Sequence, residues 1–424
     1  MTRSISLNPA ETTVWWALTL TWAFYLVGAL YVVGPVLGWL LGGLAALALY
    51  LGPAIRPDLR ATSPHWTAVL WGAGMAAMLG VLWAGHIGWD LGLGQTIKST
   101  IGWAKGWALL ALFPLAGAIL PIRRDVVIRA QSALALQTLI LLPLFAAAPY
   151  LGLPSLIFTS PLKAVGGPGP EYFSVFLYTL DPATWTPRWQ FFAPWSPFAG
   201  LLGVVAVLMA LEEKSRRWML VGVAAGVAMI LLSKSRMSLV ALVVCTLGPR
   251  LVRLIAEAWA WRLAAVGAAA FAFIGGWAIE RGLAAVHAFK SARADSTRVR
   301  ETLQRIAADR WRDEAVFFGH GTVQPGPHIV EYMPIGSHHT WWGLLFVKGA
   351  AGFIAFLAPL IGSFALAFTD AVRNARGRLP LGLVLVMIVL SFGENIEIEA
   401  YLLWPALLML GVHAREVGTS EAAQ

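Results

Sequence analysis

The chain has 424 residues, of which 58% are hydrophobic and 12% are charged; 21 are tryptophans, and its mean hydropathy is +0.70. This composition excludes a soluble globular protein and predicts an all-α polytopic membrane protein. The net charge of +9 does not indicate nucleic-acid binding, because no basic segment carries interleaved aromatic residues on one face.

Apolar runs long enough to cross a bilayer, which takes about 20 residues each, predict about twelve transmembrane helices in a single transmembrane domain, residues 1–424. The first run is too long for a signal peptide and lacks a small-residue cleavage site. Cys245 is the only cysteine and excludes an intramolecular disulfide. The predicted spans are residues 13–33, 34–51, 66–85, 101–120, 130–150, 195–212, 217–233, 236–249, 262–280, 339–369, 379–393 and 397–412.

Lysine and arginine gather in the short loops on one side of these spans, which places the N-terminus in the cytoplasm. Two long segments then lie outside, residues 151–194 and 281–337. The second is basic, but long segments cross the membrane regardless of charge. The cytoplasmic loops carry Arg56 and Arg60, Arg123, Arg124 and Arg129, Lys214, Arg216 and Arg217, Arg250, Arg253 and Arg262, and Arg373, Arg376 and Arg378.

The two outside segments differ in pattern. Residues 151–194 are rich in proline, glycine and aromatic residues and predict a partly ordered loop lying on the membrane. Its tryptophans suit the interfacial belt, and a binding role for the segment as a whole is the alternative. In the second segment, Val299, Leu303 and Ile306 recur at helical spacing and predict an amphipathic helix over residues 293–312. The turn-rich residues that follow predict irregular structure, in which His320 and His328 are interpreted as ordinary loop residues.

Residues 337–352, SHHTWWGLLFVKGAAG, lie where this outside segment becomes an apolar helix. From His338, the spacings to Leu345, Gly349 and Gly352 predict one helical stripe with an imidazole at its mouth and small residues deeper in. A titratable group would then stand at the water boundary, above a face where another helix can pack closely.

Three motifs fall on the outer face in this topology. Arg188 ends the first outside segment, Lys234 and Arg236 lie at a break between two apolar helices, and His338 opens a helix. Two converging arginines can bind a diphosphate through bidentate hydrogen bonds, and a histidine can accept a proton near neutral pH. The alternatives are an Arg188 salt bridge to Asp181 or Glu171, a snorkelling Arg236, and interfacial hydrogen bonding by His338.

Four segments, covering roughly residues 186–412, resemble the superfamily of O-antigen ligases and O-antigen polymerases, which are bacterial membrane glycosyltransferases of GT-C type. Its helix-opening pattern of His-Asn, Leu and two glycines three apart is matched from His338 to Gly352, with His339 in place of asparagine. Its other motifs are matched by Ser235 and Arg236, by Arg188, Phe191, Pro194 and Ser196, and by Ser296, Arg298 and Gly319-His320-Gly321. The usual Pro-Asn pair is replaced by Pro194-Trp195 or Ser196-Pro197.

The resemblance implies that a glycan is transferred from undecaprenyl diphosphate to an acceptor hydroxyl at the periplasmic face of the bacterial inner membrane, without cofactor or metal. His338 would be the base, and Arg188 and Arg236 would hold the diphosphate. Candidate assistants are Lys234, Arg298, Tyr332 and His339. The acceptor would be another lipid-linked glycan in a polymerase, which we favour, or the lipid A core in a ligase. Besides membrane lipids, a chain-length regulator is a further candidate partner.

A transporter or lipid flippase is the rival from another class, because it too would be polytopic with charges facing a cavity. Transporters usually hold their ionisable residues near the midplane, whereas here they gather at one interface. Three acidic residues near the outside end of the last two helices, Glu394, Glu397 and Glu399, could orient a base or bind an acceptor sugar. A solvated turn is the interpretation that we favour for them.

Overall fold

The computed structural model describes residues 6–51, 64–181, 184–291 and 294–421, and this part of the chain is largely helical. Its fifteen α-helices are α1 (Pro9–Thr19), α2 (Thr21–Leu26), α3 (Leu30–Leu51), α4 (Trp66–Gly88), α5 (Gly92–Lys105), α6 (Leu109–Ile119), α7 (Arg124–Ala147), α8 (Ser196–Ala210), α9 (Arg216–Leu232), α10 (Arg236–Leu251), α11 (Ala258–Ser291), α12 (Ala294–Glu314), α13 (Thr340–Arg373), α14 (Arg378–Ser391) and α15 (Ile396–Glu421).

Among the described residues, seven helical stretches are long and apolar enough to cross a membrane, and an eighth results if the bent α11 counts as one span. The chain is therefore an α-helical polytopic membrane protein. Other predicted runs form helices of fewer than 18 residues, as in α1, α8, α9 and α14, so a count by length does not reach twelve. The seven stretches are Leu30–Leu51, Trp66–Gly88, Gly92–Ile119, Arg124–Ala147, Arg236–Ala256, Thr340–Arg373 and Ile396–Ser420.

Glycines let the inner helices approach one another closely. A Cβ at Gly117 of α6 would clash with the Leu408 carbonyl of α15, and one at Gly411 of α15 would clash with the Pro114 carbonyl of α6. Gly203 of α8 and Gly226 of α9 meet in the same way. Close backbone approach of this kind maximises van der Waals contact where lipid supplies no hydrophobic driving force between helices.

The first outside segment, for which we expected a partly ordered loop, contains two short antiparallel strand pairs. Strand β1 (Leu156–Thr159) pairs antiparallel with β2 (Ser174–Phe176), and β3 (Thr179–Leu180) pairs antiparallel with β4 (Pro187–Arg188). Tyr25 of α2 anchors this segment to the helices. Its hydroxyl donates to the Phe176 carbonyl at 2.9 Å and accepts from the Phe176 amide at 2.8 Å. Trp189 is buried and donates to the Phe145 carbonyl, so it does not lie in the interfacial belt.

Helix α12 confirms the predicted amphipathic helix. Leu303 and Ala307 are fully buried while Glu301 and Arg305 on the opposite face are exposed. The buried face packs on α13, where Ala307 joins a small apolar cluster. Helix α11 extends to Ser291 and so continues past residue 281, where we expected an outside loop to begin.

The predicted stripe on α13 is wrong in two respects. The helix begins only at Thr340, and His338 precedes it with a left-handed φ of 59°. Gly349 then interrupts the helix with φ 61° and ψ −167°, a conformation that glycine adopts without steric cost. Helical spacing counted from His338 therefore does not describe one face of a continuous helix.

Residues 316–321, which precede α13 in the chain, hydrogen-bond to the backbone on both sides of the break at Gly349. Ala350 and Ala351 donate to the carbonyls of Val316 and Phe317, and in return the carbonyls of Phe346 and Val347 accept from His320 and Gly321. These four backbone hydrogen bonds replace bonds that the interruption removes from the helix. We call residues 316–321 the strap.

Candidate functional site

Two of the basic motifs belong to one pair of loops. The Trp189 amide donates to the Leu232 carbonyl at 3.1 Å, and Lys234 Nζ donates to Thr186 Oγ1 at 2.8 Å. Lys234 has φ 52°, so the chain turns sharply between α9 and α10. The loop that carries Arg188 is thereby held against the turn that precedes Arg236.

Arg188 lies in β4 and is mostly buried. One of its terminal guanidinium nitrogens is 3.5 Å from an oxygen of Asp181, which is the salt bridge that we had named as its alternative role. Arg236 is the first residue of α10, directly after Ser235, whose hydroxyl caps the helix by accepting from the Ser238 amide. The break predicted between the two apolar helices is confirmed at residues 233–235.

The start of α10 also contacts the turn between α14 and α15, residues 392–395. The Met237 sulfur packs against Gly393 of this turn. The neighbouring residue, Glu394, faces His338, with Oε2 3.4 Å from Nδ1. The three motifs are therefore linked through neighbouring segments at one end of the helices, in the order Arg188 loop, Arg236 turn, turn 392–395 and His338.

His338 is the more accessible member of its pair, with a side chain 35% exposed against 5% for Glu394. The next residue, His339, is buried, and its ring accepts weakly from the Trp342 amide at 3.5 Å at the start of α13. Burial lowers the pKa of His339 to about 4, so its ring is neutral at neutral pH. His339 thus caps a helix, whereas His338 presents its ring to solvent.

The expectation of a solvated acidic turn is wrong. Glu394 is 3% exposed and Glu399 is 0% exposed. Tyr172, from the first outside segment, donates its hydroxyl to Glu399 Oε1 at 3.1 Å, and burial raises the Tyr172 pKa so that this proton is retained. Buried acidic side chains are costly in a membrane protein and are a usual mark of function.

Several buried polar atoms around this end make no hydrogen bond within the described part of the chain. They include Ser337 Oγ and Trp341 Nε1 beside His338, Glu397 Oε2 and Glu399 Oε2 on α15, Gln190 Nε2 on the first outside segment, and Trp195 Nε1 at the start of α8. Such groups are normally satisfied by water or by a ligand. Their concentration here marks a polar interior at this end of the bundle.

The remaining candidates, Arg298 and Tyr332, have exposed side chains. Arg298 is exposed near the start of α12. Tyr332 is 63% exposed, with a left-handed φ of 58°, and its ring packs edge-on against His328. Among the described residues, no group of three or more histidine, cysteine, aspartate or glutamate side chains has the geometry of a metal site.

His320, which we had interpreted as an ordinary loop residue, is buried and holds the strap. Its Nδ1 lies 2.9 Å from the Phe346 carbonyl and its Nε2 lies 2.7 Å from Glu314 Oε2. Hydrogen bonds from Arg310 and then from His320 lower the pKa of Glu314 to about 2, so this partner is a carboxylate. Because both partners are acceptors, both bonds form only when both ring nitrogens carry protons.

We did not single out Lys348 from the sequence, and we interpreted Glu397 and Glu399 of α15 as part of a solvated turn. Lys348 is 5% exposed and lies directly before the break at Gly349. A lysine inside an otherwise apolar helix is visible in the sequence, and such residues usually face the interior of the bundle. The sequence does not reveal which acidic residue it faces.

The fold and these contacts define an α-helical polytopic membrane protein with a polar, partly basic cluster at one end. In comparisons with known proteins, the chain matches no family model and no curated protein.

Proposed function

We propose that the chain is a membrane glycosyltransferase of bacterial surface polysaccharide assembly. It would transfer a glycan from an undecaprenyl-diphosphate donor to a sugar hydroxyl. The observation that carries the proposal is the chain of contacts that links the Arg188 loop, the start of α10 and the His338–Glu394 pair at one end of the helices. A base and a diphosphate clamp are the two parts that such a transfer requires.

In the proposed reaction, His338 takes the proton of the acceptor hydroxyl as its oxygen attacks the anomeric carbon. The bond from that carbon to the diphosphate breaks, and the configuration at the carbon inverts. Arg188 and Arg236 stabilise the negative charge on the departing lipid diphosphate, as planar guanidinium groups can do without a metal. Lys234 stands next to this clamp, and Arg298 and Tyr332 remain candidate assistants.

The membrane setting suits a lipid-linked substrate. The undecaprenyl chain would lie between apolar helices while the diphosphate reaches the polar end of the bundle. With about twelve spans and a cytoplasmic N-terminus, this end would face the periplasm from the inner membrane. We favour a polymerase, whose acceptor is a second lipid-linked glycan and whose partner could be a chain-length regulator; a ligase would use the lipid A core.

A reconstituted transfer assay tests the proposal. Purified protein in liposomes would be given an undecaprenyl-diphosphate glycan and either a second lipid-linked glycan or a lipid A core acceptor. We expect glycan transfer with release of undecaprenyl diphosphate, unchanged by EDTA because arginines supply the charge compensation. His338→Ala should lower the rate roughly 100-fold or more while leaving donor binding nearly intact.

His328→Ala is the matched control, since His328 is an exposed histidine on the same outside segment. Loss of transfer on chelation, restored by magnesium or manganese, would overturn the metal-independent mechanism. Movement of intact donor across the membrane, with no new glycosidic bond under any acceptor condition, would instead support a flippase.

A further inference from the structure

The contact between His338 and Glu394 determines which ring nitrogen is available for chemistry. A carboxylate can only accept a hydrogen bond, and Glu394 Oε2 faces Nδ1 at 3.4 Å. When this bond forms, Nδ1 carries the proton and Nε2 keeps the lone pair. A base needs that lone pair directed at the hydroxyl that it deprotonates.

The backbone around this pair is held by a separate set of hydrogen bonds. Thr340 Oγ1 donates to the Glu394 carbonyl at 2.7 Å and accepts from the Ile396 amide at 3.0 Å. The His339 amide donates to Asn395 Oδ1 at 3.2 Å. Residues 338–340 and 394–396 are therefore joined before the two side chains meet, which explains how His338 is held at a left-handed φ of 59°.

Glu394 is more deeply buried than His338. Glu394 is almost completely enclosed, so little water competes for its carboxylate, while the His338 ring retains access to the exterior. A charge-assisted hydrogen bond in a site of low dielectric is stronger than the same bond in water. The carboxylate can therefore orient the ring and stabilise the positive charge that the ring gains.

We propose that Glu394 is a positioning residue for His338. It holds the imidazole in the Nδ1–H tautomer and stabilises the imidazolium that forms when Nε2 takes the acceptor proton. Glu394 itself takes no proton: the hydroxyl O–H bond breaks, the proton stays on Nε2, and the electron pair forms the new bond to the anomeric carbon. The inference rests on the glycosyltransferase function proposed above.

Kinetics on Glu394 variants test this role in the reconstituted assay. Glu394→Ala should lower kcat about 10-fold to 100-fold with little change in KM or in donor binding, because the bond matters most once the ring is charged. Glu394→Gln keeps an acceptor oxygen without the charge and should recover part of the loss. Glu257→Gln, a change to an exposed glutamate outside the site, should have no effect.

A double variant separates positioning from a merely structural role. If Glu394 acts through His338, adding Glu394→Ala to His338→Ala should cost no further activity, because residues that act as a unit are not additive. A further 10-fold loss in the double variant would overturn the inference. So would full activity of Glu394→Ala when His338→Ala is inactive, and that result would leave the glycosyltransferase proposal standing.

An NMR measurement tests the tautomer of His338 without depending on enzyme activity. With ¹⁵N-labelled histidine, the His338 signal, assigned by its loss in His338→Ala, should report the Nδ1–H tautomer at neutral and higher pH. In Glu394→Ala it should shift towards the Nε2–H tautomer that free imidazoles favour. An Nε2–H tautomer in the unmodified protein would overturn the inference, even if transfer of the glycan is fully established.

Discussion

Two adjacent residues, His338 and His339, have different environments in the structure. His339 is buried, neutral and engaged at the start of α13, whereas His338 is accessible and faces a buried carboxylate. The sequence shows both as members of one His-His pair. Only their backbone conformations separate them, because His338 turns the chain at φ 59° and His339 is extended.

Arg236 offers a test at the same scale. If its guanidinium makes a bidentate contact with the diphosphate, Arg236→Lys should weaken donor binding about 10-fold, since an ammonium cannot reproduce the planar fork. Arg236→Ala should weaken it further. Binding of a labelled lipid diphosphate to protein in nanodiscs measures both, with Arg305→Lys on the exposed face of α12 as the control. Unchanged binding in Arg236→Ala would remove this residue from the clamp.

At the scale of elements, α13 depends on a segment outside itself. Its break at Gly349 is stabilised by four backbone hydrogen bonds to the strap and by the His320 ring, which stacks on Phe346 at 4.2 Å and on Trp89 at 5.0 Å. The strap thus connects α12, α4 and both halves of α13. The half of α13 that begins at Thr340 directly follows His338, so the strap holds the helix that comes after this candidate base.

Substitution at Gly349 tests this dependence. A Cβ there would clash with the Phe317 backbone, and the conformation itself is strained for any other residue. We expect Gly349→Ala to destabilise the protein by about 2 kcal/mol or more. Thermal unfolding in detergent, followed by tryptophan fluorescence, would show a lower Tm.

Gly43→Ala is the matched control, because a Cβ at this helical glycine of α3 meets nothing within 4 Å. It should be neutral or slightly stabilising, since alanine favours helix more than glycine does. Equal effects of the two substitutions would show that the break in α13 is not a special position.

For the whole molecule, the proposed lipid-linked substrate requires that the candidate site face the periplasm. The positive-inside distribution predicts that Lys214 lies in the cytoplasm and the turn near Tyr332 lies outside. Cys245 is the only cysteine and is fully buried, so it provides a silent background for labelling. Tyr332→Cys should react with a membrane-impermeant maleimide added to intact spheroplasts, and Lys214→Cys should react only after lysis. The reverse pattern would place the proposed site in the cytoplasm.

The membrane character of this protein, the break between α9 and α10, and the amphipathic face of α12 could all be predicted from the amino-acid sequence. Each of these depends on composition or on local periodicity, which neighbouring residues encode without reference to the rest of the fold. The stripe drawn from His338 failed because one glycine and one left-handed residue override helical spacing.

The contacts of His338 and of the break in α13 could not be predicted from the sequence. Glu394 lies 56 residues after His338, and the strap reaches across to the break in α13. Neither pairing leaves a pattern in local sequence, because each forms only when α13 packs against the last two helices and against α12. The same packing buries Glu394 and Glu399, which the apolar flanks of the last two helices do not reveal. Contacts between distant segments are set by packing geometry, and packing is a property of the folded whole.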